Sequence, residues 1–90
     1  MDKEQIAEWL YDGAVALSHG DKERARDLLL RVTEHDETNE EAWLWLSGAV
    51  EDIEDQEIAL LNVIDLNPDN AAAKKGLEQI AAKKLTMEQQ

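Results

Sequence analysis

The chain repeats itself. Slid by 31 residues, "LLRVTEHDETNEEAWLWL" (29–46) falls on "LLNVIDLNPDNAAAKKGL" (60–77). Leu29 meets Leu60, Leu30 meets Leu61 and Val32 meets Val63. Asn39 meets Asn70, Ala42 meets Ala73 and Leu46 meets Leu77. The match crosses an apolar stretch, a polar turn and a second apolar stretch. A unit of this size cannot bury its own apolar face, so such chains stack one unit on the next.

The units read as helical. Proline occurs once, at Pro68, β-branched residues are sparse, and Ala, Leu, Glu and Lys are plentiful. Helical spacing and polar caps predict five helices, over 3–18, 22–35, 40–51, 53–66 and 71–85. Asp2 with Gln5 makes a capping-box pattern, and Asp21, Asn39, Asp52 and Asn70 stand at the other four N-caps. Gly20 suits a left-handed residue closing the first helix. Asn67 precedes Pro68 and is pushed away from helix. Residues 86–90 are expected to fray. The fourth helix is apolar nearly all round, through Ile58, Ala59, Leu60, Leu61, Val63, Ile64 and Leu66. That pattern predicts burial on several sides, between neighbours.

Trp9, Gly13, Gly20-Asp21, Ala25, Leu29 and Val32 fall at the marked places of a first unit. Trp43, Leu46, Ser47, Val50, Leu60, Val63 and Pro68 fall at those of a second. On these residues the chain resembles the tetratricopeptide repeat (TPR) family over roughly 4–84, whose unit is two antiparallel helices in about 34 residues. The resemblance implies an all-α, helix-turn-helix repeat solenoid of about five antiparallel helices. Unit one spans about 4–39, unit two about 40–70, and a polar capping helix about 71–85. There are departures. Asp12 takes a usually apolar place, Glu37 the closing proline, Gln56 an alanine and Lys74 the tryptophan of a third first-helix. Unit two is also about three residues short between its helices.

In that family the first helix of each unit lines a concave surface where peptides or helices dock. The resemblance carries this role to Ala7, Leu10, Tyr11, Ala14 and Leu17. It carries it also to Glu41, Leu44, Trp45, Gly48, Glu51 and Asp52, and to Ala72, Lys75 and Gln79. Of these, Leu10, Tyr11, Ala14, Leu17, Leu44, Trp45, Gly48 and Lys75 are the candidate partner-binding residues. Trp43 shares a stripe with Leu46, Ser47 and Val50. Trp45 points about 200° away around the helix, so it belongs either to a second packed side or to the groove. Chaperone-binding members hold a C-terminal carboxylate with basic and amide side chains. Here those places are Leu10, Ala14, Glu41 and Trp45, with only Lys75 basic, so an acidic tail is not the expected ligand.

The formal net charge is −12. Residues 1–70 hold 19 acids and 5 bases, whereas 71–90 hold 2 acids and 4 bases. Such a field disfavours nucleic acid. It reads either as attraction to a basic partner or as solvated helix faces. Without cysteine there is neither a disulfide nor a thiolate metal site. No apolar run approaches the roughly 20 residues of a membrane span, and "MDKEQIAEWL" lacks a secretory h-region. A cytoplasmic, non-membrane protein is expected.

Chemistry-bearing patterns are missing too. His19 and His35 do not share a helix face and lack zinc or di-iron spacing. "DETNEEAWLWLS" fails as a calcium loop, with Glu41 at the glycine position and Ser47 at the bidentate glutamate. Ser18 and Ser47 lack a glycine elbow. The expectation is a non-catalytic module without cofactor or metal that binds a protein or peptide in its groove. The alternative is a homodimer that covers the same apolar face.

Overall fold

The computed structural model describes residues 2–89, and they form an all-α fold with no strand among them. Five helices follow one another: α1 (Lys3–Ser18), α2 (Lys22–His35), α3 (Glu40–Ala49), α4 (Ile53–Leu66) and α5 (Ala71–Gln89). Each begins at a side chain that accepts an otherwise orphaned backbone N–H. Asp2 accepts from Gln5 at 2.8 Å, Asp21 from Arg24 at 3.1 Å and Asn39 from Ala42 at 3.0 Å. Asp52 accepts from Glu54 at 2.8 Å and Asn70 from Ala73 at 2.9 Å. Gly20 turns the chain out of α1 with φ 80, a left-handed conformation that glycine adopts without strain.

The 31-residue repeat is present in the backbone. Asp36 closes α2 with φ −146 and ψ 89, and Asn67 closes α4 with φ −146 and ψ 93. Each donates its N–H at 2.7 Å to the residue four back, Val32 or Val63. Each side chain then accepts the N–H two residues on, from Thr38 or Asp69, at 3.1 Å. Glu37 stands in the first turn where Pro68 stands in the second. The Asx hydrogen bond and the asparagine cap therefore make this turn with or without the ring.

Two boundaries differ from the sequence expectation. Helix α3 stops at Ala49 rather than at residue 51, and Val50 is extended. Only three residues, 50–52, reverse the chain into α4. Gln56 secures this short corner by donating its side-chain N–H to the Val50 carbonyl at 3.0 Å. Helix α5 runs on to Gln89 instead of ending at Leu85. No glycine or proline interrupts 77–89, where Ala, Leu, Lys, Met and Glu favour helix.

Packing is sequential: α1 on α2, α2 on α3, α3 on α4 and α4 on α5, with a lesser contact between α1 and α3. The result is elongated, 47 × 27 × 18 Å. One buried cluster joins Ala16, Ala25, Leu29, Leu46 and Ala49; a second joins Leu60, Val63, Ala73 and Ile80. Trp43 packs against both. Helix α4 does lie between two neighbours, but the burial expected around it is only partial. Ile58 is 56% exposed, Leu61 52% and Leu66 40%. Helix α4 rests on α3 and α5, and no described element covers its remaining side.

Gly13 lets α1 and α2 approach closely. A Cβ there would lie 2.9 Å from both Cγ and Cδ2 of Leu29, which is fully buried and cannot swing away. At Gly48 the nearest atom to such a Cβ is Leu17 Cδ2 at 3.6 Å, an ordinary contact. Alanine gains about 1 kcal/mol of helix propensity over glycine, and overpacking costs about 1–3 kcal/mol. Gly13→Ala should therefore lower the urea midpoint, while Gly48→Ala should raise it.

Candidate functional site

Helices α1 and α3 lie side by side, and their shared face is built from half-buried apolar residues. Leu10, Leu17 and Trp45 all pack onto the first buried cluster while keeping part of their surface in solvent. Leu17 reaches toward the bare backbone of Gly48, which is exposed. Tyr11 is the most open large side chain of this set, 69% exposed, and Ala14 is half-buried. Trp45 thus does both of the things its position allows: part of the indole closes the core and part faces water.

Leu44 belongs elsewhere. It packs onto the second cluster and lines a small cleft among α3, α4 and α5 with Leu60, Ala72, Gly76, Gln79 and Lys83. Gly76 lets α5 approach α4 closely there, since a Cβ would lie 2.8 Å from Leu60 Cδ1. Lys75 is exposed on α5 and is not among the residues lining the cleft. The eight candidates therefore divide. Leu10, Leu17 and Trp45 share one cluster with Gly48 beside Leu17, Leu44 belongs to the other cluster, Tyr11 and Ala14 lie on α1, and Lys75 stands outside both sets on α5.

Acidic groups stand at both ends of α3. Glu41, Glu51 and Asp52 are exposed on and just after α3. Glu40, at the first position of α3, ties that helix to the following turn. Its Oε2 accepts from Asn70 Nδ2 at 2.6 Å and from Asn67 Nδ2 at 3.0 Å. These two bonds, Asn70's the larger influence, favour the charged carboxylate and hold its pKa below the ordinary value of 4.5 against the opposing effect of burial. At the other end Lys84 Nζ meets Glu57 Oε1 at 2.8 Å. That bond to Glu57 holds the ammonium pKa above its ordinary value, against a smaller lowering by burial.

A second concavity was not read from the sequence. Between α2 and α4 a cleft of about 620 Å³ is lined by Leu30, Thr33, Glu34, Trp43, Asp65 and Leu66, among others. Trp43 donates its indole N–H to the Glu37 carbonyl at 2.9 Å. The available signal was the third leucine of "LLL": Leu30 sits off the stripe of Leu28 and Leu29 and had no core role to fill. Trp9, at the marked tryptophan place of the first unit, sits toward the surface. It is half-buried, its ring 5.4 Å from His35 and 5.9 Å from the Arg31 guanidinium.

What the α1–α3 face offers is apolar contact area with a phenol at its edge and carboxylates nearby. Among the described residues no group of three or more His, Asp or Glu is placed to hold a metal ion, and no helix is long and apolar enough to cross a membrane. Compared with known proteins, the chain matches no family model, no curated protein and no solved structure.

The Glu40 bonds give a pH-dependent contribution with a defined sign. A carboxylate whose folded pKa is lowered stabilises the fold fully above its unfolded pKa and loses that contribution as pH falls through the folded value. Wild type should exceed Glu40→Gln in urea stability at neutral pH. The gap should narrow as the pH drops below 4.5.

Proposed function

We propose that this chain is a non-catalytic, TPR-like module that holds a segment of a partner protein against its α1–α3 face, with α5 alongside. The observation carrying the reading is the half-buried stripe of Leu10, Leu17 and Trp45, bordered by the open Tyr11 ring and the bare Gly48 backbone. Tyrosine and tryptophan are frequent anchors of binding energy, because they present a large rigid surface at low conformational cost. A backbone without a side chain at Gly48 leaves room for a bound chain beside Leu17. The net charge of −12 favours a segment that carries lysine or arginine, and such steering weakens with salt. The absence of cysteine suits a reducing compartment, and the proposal takes the cytoplasm as the place of work.

The test uses two exposed positions, one on α1 and one on α3, so that the core is left alone. Wild type and a Tyr11→Glu/Gly48→Glu variant are immobilised, and proteins captured from a native lysate are compared by mass spectrometry. Circular dichroism checks that both are folded. A protein held by the wild type should bind the variant at least about tenfold more weakly, equivalent to about 1.4 kcal/mol. Identical captures by the two would remove the α1–α3 face as the binding surface.

A further inference from the structure

The cleft between α2 and α4 shares no residue with the candidate contacts of the α1–α3 reading. Helices α2 and α4 each pack on α3, and no comparable contact joins them to each other. The space left between them, about 620 Å³, is lined by Leu30 and Glu34 of α2, Glu37 of the following turn, Trp43 of α3, and Asp65 and Leu66 of α4, among others. Of these, Trp43 is half-buried and the rest are exposed, so the indole lies deepest. Leu30 is 38% exposed and Leu66 40%. A lone exposed leucine is ordinary, but here one from each helix borders the same hollow as the indole.

The charge around this hollow has one sign. Glu34, Glu37 and Asp65 line it, and no lysine, arginine or histidine does. Among the described residues none of these three carboxylates forms an ion pair. The neighbouring clefts differ: one mixes Asp21, Glu23 and Asp27 with Arg24 and Arg31, another mixes Lys22 and Arg26 with acids. Trp43 commits its indole N–H to the Glu37 carbonyl at 2.9 Å. What it offers an occupant is therefore ring surface, which attracts a cation.

These features select the occupant by its chemistry. An anionic segment meets three carboxylates and is repelled. A neutral apolar segment takes those carboxylates out of water without a partner. A segment that carries arginine beside apolar side chains satisfies both surfaces. Its apolar groups and methylene stems cover Leu30 and Leu66, and its guanidinium groups lie against the indole and the carboxylates. We propose that the α2–α4 cleft is a second docking site, which takes an arginine-bearing, apolar segment of a partner protein. Occupied together with the α1–α3 face, it makes the chain a bridge between two segments.

The acetylated, amidated peptide Arg-Leu-Arg-Leu-Arg is the probe, titrated by calorimetry and followed at the indole N–H resonances of the protein. Binding should move the Trp43 resonance, leave those of Trp9 and Trp45 in place, and weaken as salt is raised. The same peptide with neutral citrulline for arginine should bind at least about tenfold more weakly, and so should arginine amide alone. Glu34→Lys/Asp65→Lys, at exposed positions, should be folded by circular dichroism and also bind at least about tenfold more weakly. Glu8→Lys/Glu78→Lys makes the same change in net charge at exposed positions outside the cleft and should stay within about threefold of wild type. Tyr11→Glu/Gly48→Glu should bind the peptide as wild type does, so that failure here is separable from failure of the α1–α3 proposal. A peptide that does not bind would overturn the second site. So would equal losses in the two lysine variants, which mark attraction to net charge alone, or a shift at Trp45 with Trp43 unmoved. Arginine amide binding as tightly as the peptide would overturn it too, since the cleft would then take a small cation and not a segment.

Discussion

Two leucines, 31 residues apart, carry the close contacts on which the other packing in this molecule depends. Leu29 presses on the bare backbone of Gly13 in α1, and Leu60 presses on that of Gly76 in α5. Each is followed three residues later by a fully buried valine, Val32 or Val63. Helices α2 and α4 therefore supply the core, and α1, α3 and α5 are laid against them. The repeat equates Trp45 with Gly76. Trp45 adds an indole to the cluster around Leu29, while Gly76 removes a side chain so that α5 can settle onto Leu60. One position in the repeat thus sets a wide, partly open surface in one place and a close helix contact in the other.

Much of this was legible because it is local. The N-caps, the left-handed Gly20 and the two matching turns each depend on a few consecutive residues, and the sequence displays those directly. What was not legible depended on residues distant along the chain or on what lies opposite. The end of α3 is tied by Gln56, six residues past Val50. The Glu40 bonds to Asn67 and Asn70 join positions 27 and 30 apart. The apolar girth of α4 was plain, but periodicity reports that a face is apolar and not whether anything covers it. The same limit applies to the α1–α3 face. Leu10, Leu17 and Trp45 were singled out as contact residues, yet their share in the buried cluster emerges only when α1 and α3 are placed together.

Sequential packing also explains why a small molecule can present several distinct surfaces. Each helix touches chiefly the ones before and after it, so every helix keeps part of its circumference free. On α1 and α3 that remainder holds aromatic rings and a glycine; on α2 and α4 it holds leucines beside carboxylates. The acidic balance of residues 1–70 and the basic balance of 71–90 then become a property of particular helices, with the lysines gathered on α5.

Trp43 is the side chain that packs against both buried clusters. Chains of stacked units unfold as one body only insofar as neighbouring units are coupled, and where coupling is weak they open piece by piece. A single indole, pinned through its N–H to the Glu37 carbonyl, is a principal coupling between the Leu29 half and the Leu60 half. Trimming it would do more than reduce stability. It would loosen the bond between two transitions that otherwise coincide, and the all-or-none character of unfolding would be the first thing lost.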